Sequence, residues 1–253
     1  MQLFPNPCIR QKPGTLISPA AIDAVKAIAF LAMLLDHFNT LFLSPPEPEL
    51  YAIGRMAFPL FILTWAVSAC RRPENLQQNA NRQWGWAFIT QPVFALTFST
   101  QQPWYALNIL FVFAAATQLL ALHHRHGRKG LVAGLVLCGS MTYPLSPASY
   151  GLQGLVLALS AAFWFRSSAT GARRVAAVTG AVALVTMNGI THLKSSPGPA
   201  LMFAILPTVV LPFVATGCAG LILRAHQDRF LPARCFYYAY TGHLLFFLVL
   251  RNI

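Results

Sequence analysis

Three ionisable side chains of different chemistry fall close together early in the chain. Asp36 and His37 lie inside the apolar run AFLAMLLDHFNTLFL, and Arg55 opens GRMAFPLFILTW. An imidazole takes or gives a proton near neutral pH, a carboxylate can orient it or balance its charge, and a guanidinium can hold an oxyanion. The turn Ser44-Pro45-Pro46-Glu47-Pro48-Glu49 separates the two segments, folding them into a hairpin that brings the three groups near one membrane face. A charged group at the centre of a spanning helix costs about 2.5 to 3.5 kcal/mol, so one kept there marks a functional site by default.

Helical spacing sharpens the pattern. Lys26, Phe30, Met33 and His37 recur at +4, +3 and +4, one stripe of a helix, with Lys26 about 16 Å from His37 along the axis. Asp36 points about 100° away from His37, so it is expected to pair with Arg55 across the hairpin and leave His37 for chemistry. A structural ion pair plus a histidine bonded to a neighbouring helix fits the same residues. Without Asp36 nearby, Arg55 would reach for the headgroups. Pro59 interrupts the backbone ladder of the second segment, and Gly54 permits close packing.

The last segment, FYYAYTGHLLFFLVL, sets His243 near mid-span with Tyr240 on the same face. A histidine there faces protein or a water-filled cavity, either as a site residue or bonded to a tyrosine or a carbonyl. Asn108 in WYALNILFVFA and Gln153 in SYGLQGLVLAL stand about one turn inside their spans. There each serves equally well as glue between helices or as a substrate contact. Trp104, Tyr105 and Tyr150 fall where an outer aromatic belt is expected. His123, His124, His126, His192 and His226 sit in loops or at span ends and carry no assigned chemistry.

The elements that must position these groups follow from composition. Of 253 residues, 56% are hydrophobic and 9% charged, against about 25% charged in an average soluble domain. The expectation is an all-α, polytopic integral membrane helical bundle, with the lipid bilayer as its surroundings. Reading for apolar runs of about 20 residues gives nine spans, near residues 22–43, 51–70, 84–99, 104–122, 131–145, 150–165, 175–191, 200–223 and 236–253. The fifth is short and ends in Tyr143-Pro144, which also suits a re-entrant segment. Residues 1–21 hold four prolines and no apolar h-region, so they read as a cytoplasmic arm and not a signal peptide. Residues 22–253 form a single transmembrane domain.

Basic residues test the topology. Arg10 and Lys12, then Arg71, Arg72 and Arg82, then Arg125, Arg128 and Lys129, then Arg166, Arg173 and Arg174, then Arg224, Arg229 and Arg234 occupy alternate connections. Lysines and arginines collect on the cytoplasmic side, which puts the N-terminus inside and the C-terminus outside. The net charge of +12 is spread a few residues per loop, and this excludes nucleic acid as the partner it serves. Cys8, Cys70, Cys138, Cys218 and Cys235 form no C-x-x-C pair, so neither a disulfide framework nor a thiol metal site is indicated. No metal is expected.

LLDHFNTLF, GRMAFPLFILTW, WYALNILFVFA, SYGLQGLVLAL and the closing Tyr-x-x-His of YAYTGHL stand in the same order and spacing as in the TraX family. The chain resembles these inner-membrane proteins of conjugative plasmids, the F-type pilin N-acetylases, from about Asp23 to its end. Many relatives close on Phe-Tyr-Pro-x-His, whereas this chain reads Tyr240-Thr241-Gly242-His243. The histidine is kept and the proline is not.

The resemblance implies an acyltransferase-like domain that moves an acetyl group from cytoplasmic acetyl-CoA to the N-terminal amine of conjugative pilin, on the periplasmic side. On that reading Arg71, Arg72, Arg82 and Arg125 hold the nucleotide phosphates of the donor at the inner face, with Lys26 on the His37 stripe behind them. His37 acts as general base or as a covalent acetyl carrier, and Asp36 orients or balances the site. Arg55, Asn108 or His243 stabilises the oxyanion. The competing class is a non-enzymatic carrier or pilus assembly factor, which would also hold Asp, His and Arg within the bundle. No half-to-half repeat of the kind common in transporters is visible.

Overall fold

The computed structural model describes residues 18–193, 196–223, 228–232 and 234–253. Most of the expected N-terminal arm, and with it Cys8, Arg10 and Lys12, lies outside the described residues, as do Lys194, Arg224 and His226. All regular structure among the described residues is helical. In chain order the helices are α1 (Pro19–Phe42), α2 (Pro48–Gly54), α3 (Ala57–Arg71), α4 (Leu76–Thr97), α5 (Leu110–Leu145), α6 (Gly151–Arg166), α7 (Thr170–Leu193), α8 (Pro197–Ile222) and α9 (Cys235–Arg251).

Local chemistry sets the ends of α1. Ser18 is its N-cap, accepting from the Ala21 N–H at 3.1 Å, and Pro19 follows where a missing N–H costs nothing. At the other end Asn39, 1% exposed, reaches forward to the next turn. Its Nδ2 donates to the Glu47 carbonyl at 3.0 Å and its Oδ1 accepts from the Glu47 N–H at 2.7 Å. A single amide thereby pairs both backbone groups of Glu47 and fixes the hairpin between α1 and α2.

α5 runs through the fourth and fifth expected spans, and Gly127 divides it at φ 57° and ψ −130°, a region that side chains other than hydrogen avoid. Cβ atoms built on Gly130 and Gly134 would collide with Leu122 and Leu119, and Cys138 Sγ lies 3.8 Å from the Ala115 carbonyl. These pairs recede symmetrically from Gly127, so the halves run antiparallel. The small residues Gly130, Gly134 and Cys138, four apart, are what let the backbones approach.

The chain divides into two compact units. In the unit over Trp65–Ala183, the first half of α5 is the core: Phe111 to Thr117 are all buried, and Phe111 meets Trp84 and Phe88 of α4 edge-on. The other comprises the described residues up to Thr64 together with Leu184–Ile253. There Ala21, Val25 and Ala29 of α1 pack with Leu60 of α3 and Ala219 of α8. The small α1 residues recur every four positions, which makes a flat face that neighbouring helices can approach closely.

Large apolar side chains face outward on many of the helices: Val132 and Val136 on α5, Val175 and Val178 on α7, Phe213 and Leu221 on α8, Phe246 and Val249 on α9. A water-soluble protein rarely exposes so much apolar surface. Two stretches are long and apolar enough to cross a membrane, Pro48–Arg71 and Pro197–Ile222. α1 is diluted by Asp23, Lys26 and Asp36, and α4 by its opening run of glutamines and asparagines. The architecture is consistent with a membrane protein.

Asn39→Ala removes two hydrogen bonds to the Glu47 backbone, each worth about 0.5 to 1.5 kcal/mol, while the Glu47 carbonyl keeps its bond from the Tyr51 N–H at 3.1 Å. Thermal unfolding of the purified protein in detergent should show a clearly lower midpoint. Asn39→Asp keeps the acceptor only and should fall between the two. A wild-type midpoint for Asn39→Ala would show that the amide does not hold the turn.

Candidate active site

The site begins with a break in a helix. Pro59 has no N–H, and its ring clashes with the carbonyl four residues earlier, which belongs to Arg55. The chain turns there: α2 ends at Gly54, α3 begins at Ala57, and the ladder resumes with Leu60 N–H bonding the Met56 carbonyl at 3.2 Å. Arg55 therefore stands at a break inside the Pro48–Arg71 stretch, with its own N–H still bonded to the Tyr51 carbonyl at 3.2 Å.

Its guanidinium is held on several sides. Nη2 donates to Asp36 Oδ1 in a short ion pair, the two side chains being 11% and 19% exposed. Nη1 donates to Asn188 Oδ1 at 3.1 Å, and Asn188 Nδ2 in turn donates to Thr208 Oγ1 at 2.9 Å. The Thr208 hydroxyl closes the line on the Ala204 carbonyl at 2.6 Å. The Tyr51 ring lies 4.2 Å from the Arg55 guanidinium carbon, in cation–π geometry. Gly54 makes the approach possible, because a Cβ there would stand 2.5 Å from both Cβ and Oδ1 of Asp36.

His37, the next residue along α1, turns to a different partner. Its Nδ1 lies 2.8 Å from Nε2 of His243 on α9, and Nδ1 of His243 lies 3.2 Å from the Ala239 carbonyl. A carbonyl only accepts, so His243 Nδ1 carries the hydrogen. In the neutral ring its Nε2 is then the acceptor, and His37 Nδ1 donates to it. This tautomer assignment, drawn from the bonding network, leaves the lone pair of His37 on Nε2. Phe30 and Phe247 meet the His243 ring edge-on at 5.6 and 5.8 Å, and Tyr240 leans on it at 5.4 Å. His243 is 8% exposed. The histidines thus form an oriented pair among aromatic side chains.

Four of the residues singled out in the sequence thus gather in two pairs that share the backbone of α1. Lys26 lies on the same stripe with its Nζ 5.9 Å from the Phe236 ring centroid. Asn108 belongs elsewhere. It precedes α5 instead of lying one turn inside it, because its Oδ1 accepts from the Leu110 N–H at 3.0 Å and so caps the helix start. Its Nδ2 donates to the Ala87 carbonyl and to Gln91 Oε1, both at 2.9 Å. That is the bonding of helix glue. Arg71 and Arg72 are exposed at the end of α3, and Arg125 is exposed two residues before the Gly127 break. Arg82 is half-buried on α4 with Nη2 donating to Asn79 Oδ1 at 2.7 Å.

Asn188 and Thr208 were not singled out in the sequence. Asn188 carries the same signal as Asn108, an amide inside an apolar run, in AVALVTMNGI. Thr208 carries none, since a hydroxyl that bonds back to the preceding turn is common in apolar helices.

A model of the family described as TraX protein matches residues 21–251. The chain belongs to the TraX family. It is 33% identical over 228 residues to Protein TraX of Escherichia coli, covering 90% of this chain and 86% of that one. It is 32% identical, with the same coverage, to Protein TraX of Escherichia coli strain K12. No solved structure matches the chain. The matched residues contain both pairs in full.

Removing one member of this half-buried ion pair strands the other, at a cost approaching the roughly 3 to 5 kcal/mol of a fully buried pair. Asp36→Asn and Arg55→Met should therefore each lower the thermal midpoint in detergent strongly. The double variant should recover part of the loss, because no charge is left unpaired. Strictly additive losses would mean that the two side chains do not depend on each other.

Proposed function

We propose that this TraX-family chain is a multi-pass inner-membrane acetyltransferase that moves an acetyl group from cytoplasmic acetyl-CoA to the N-terminal amine of conjugative pilin on the periplasmic side. The observation that carries the reading is the His37–His243 pair, two imidazoles joined at 2.8 Å inside an apolar helical protein. The alternation of basic connections supports about nine spans with the N-terminus inside. The Gly127 turn, flanked by Arg125, Arg128 and Lys129, would be one of the cytoplasmic connections. Residues 22–253 act as one catalytic domain.

The pilin amine, with an unperturbed pKa of about 7.7 to 8.0, is mostly protonated at neutral pH and must lose a proton to attack. That first proton goes to water, and His37 Nε2 takes a second one as the neutral amine nitrogen adds to the thioester carbonyl carbon. The His37 Nδ1–H bond to His243 Nε2 strengthens as His37 becomes an imidazolium, which is how the second histidine assists. The tetrahedral oxyanion forms in the field of Arg55, whose position Asp36 and Asn188 fix. Its collapse breaks the carbon–sulfur bond, and the departing thiolate takes the proton from His37. The products are the acetylated amine and free CoA thiol, with His37 returned to its neutral form. The same nitrogen can instead accept the acetyl group first and pass it to the amine once the thiol has left. Arg71, Arg72, Arg82 and Arg125 offer guanidinium groups to the nucleotide phosphates of the donor, and Lys26 a further positive charge.

Base assistance of this kind is worth about 10² to 10⁴-fold. Intact mass of the pilin should therefore show one acetyl group in cells carrying the wild-type protein and none in cells without it. His37→Ala at matched membrane abundance should acetylate at least ~10²-fold more slowly, and His243→Ala should retain part of the rate. An undiminished acetyl increment with His37→Ala would take His37 out of the chemistry. No acetyl group in any sample would remove pilin acetylation and favour an assembly or carrier role.

A further inference from the structure

Arg166 ends α6 with its side chain buried, the residue being 7% exposed, and its Nη1 has no hydrogen-bond partner. Among the described residues the carboxylate ion pairs are Arg55–Asp36 and Arg229–Asp23, and neither involves Arg166. Glu74 is the single acidic residue between positions 65 and 183, against nine lysines and arginines. A buried charge with neither counter-charge nor full hydrogen bonding is expensive, and a guanidinium cannot escape by losing its proton. Arginines at helix ends commonly bond the last carbonyls. Here the Ser167 N–H occupies the Phe163 carbonyl at 2.9 Å, and Nη1 bonds none.

The neighbourhood adds positive charge. Arg173 closes the first turn of α7, the positive end of the helix dipole, Arg174 follows it, and no acid stands in that turn. The Arg173 guanidinium carbon lies 4.3 Å from the Trp164 ring centroid, which ties this turn to the end of α6. Cys70 Sγ donates to the Ala162 carbonyl at 3.6 Å, setting the end of α3, and with it Arg71, beside the last turn of α6. Arg173, Arg71 and the N-terminus of α7 thus lie on the elements that adjoin the end of α6, and the unit contributes no acid beyond Glu74 to balance them.

We infer that Arg166 anchors a phosphate-binding site at the α6–α7 junction, with Arg173 and Arg71 at its rim. The planar fork of the guanidinium matches a phosphate bidentately. The phosphate belongs either to the nucleotide end of CoA, an assignment that rests on the function proposed above, or to an anionic lipid headgroup. The full-length protein in phosphatidylcholine nanodiscs, with folding checked by thermal unfolding, is titrated separately with adenosine 3′,5′-bisphosphate and with phosphatidylglycerol. The expected result is bisphosphate binding that weakens at least tenfold in Arg166→Gln and at least threefold in Arg166→Lys, which keeps the charge and loses the fork. If only phosphatidylglycerol binds and shows the same dependence, the phosphate site stands and the donor assignment falls. Should Arg166→Gln fail to fold, Arg166→Lys decides alone. Unchanged affinity for both probes in the folded variants, or no binding of either probe to the wild type, overturns the site.

Discussion

A guanidinium placed among apolar helices has to be neutralised where it stands, and much of this molecule's second unit follows from doing so for Arg55. The carboxylate is on α1 and the arginine is nineteen positions later, beyond a turn. The hairpin must therefore close tightly: Asn39 pins its turn and Gly54 removes the side chain that would keep Asp36 away. The helix ladder also breaks beside the arginine. Pro59 does this by denying its carbonyl a partner. Asn188 and Thr208 then take up what the carboxylate does not, extending the network to α7 and α8. One ion pair accounts for a glycine, a proline, two asparagines and a threonine.

Part of this was legible in the sequence and part was not. An acid and an arginine flanking a proline-rich turn predict their own pairing, because a hairpin brings its two stems together whatever else the chain does. The paired fourth and fifth segments were legible for a similar reason, since a basic loop with Gly127 separates two apolar runs. Arg55's place at the break required reading Pro59 through the carbonyl four residues earlier. Asn108 looked like a residue one turn inside a helix because aromatic and apolar residues run through it, but its own side chain caps the helix start. The His37–His243 contact spans 206 positions. Periodicity reports which face of a helix a residue occupies and says nothing about which distant helix covers that face.

The division between Asp36 and His37 has a mechanical meaning. Consecutive residues on a helix point about 100° apart, so one segment of α1 can serve two partners without their competing. The ion pair fixes the rotation and register of α1 against the hairpin. With the helix held, His37 has a defined direction, and His243 meets it from α9 within a cage of Phe30, Tyr240 and Phe247. The bond from His243 to the Ala239 carbonyl then sets the tautomer of both rings. Charge pairing thus supplies position, and the backbone of α9 supplies the direction in which a proton can travel.

Two arginines in this chain show how environment separates structure from binding. Arg55 has a carboxylate, an amide and an aromatic ring arranged around it, all from the chain itself. Arg166 is buried to a similar degree, has no carboxylate partner among the described residues, and lies near other cations at the positive end of α7. If burial of a guanidinium served only packing, an apolar side chain would do the same at lower cost. Retaining the charge without its counter-charge makes sense when the counter-charge arrives from outside. The acid-poor composition of the first unit, where Glu74 stands alone, then becomes a property of the site: acids close to the guanidinium would compete with the phosphate it is there to hold.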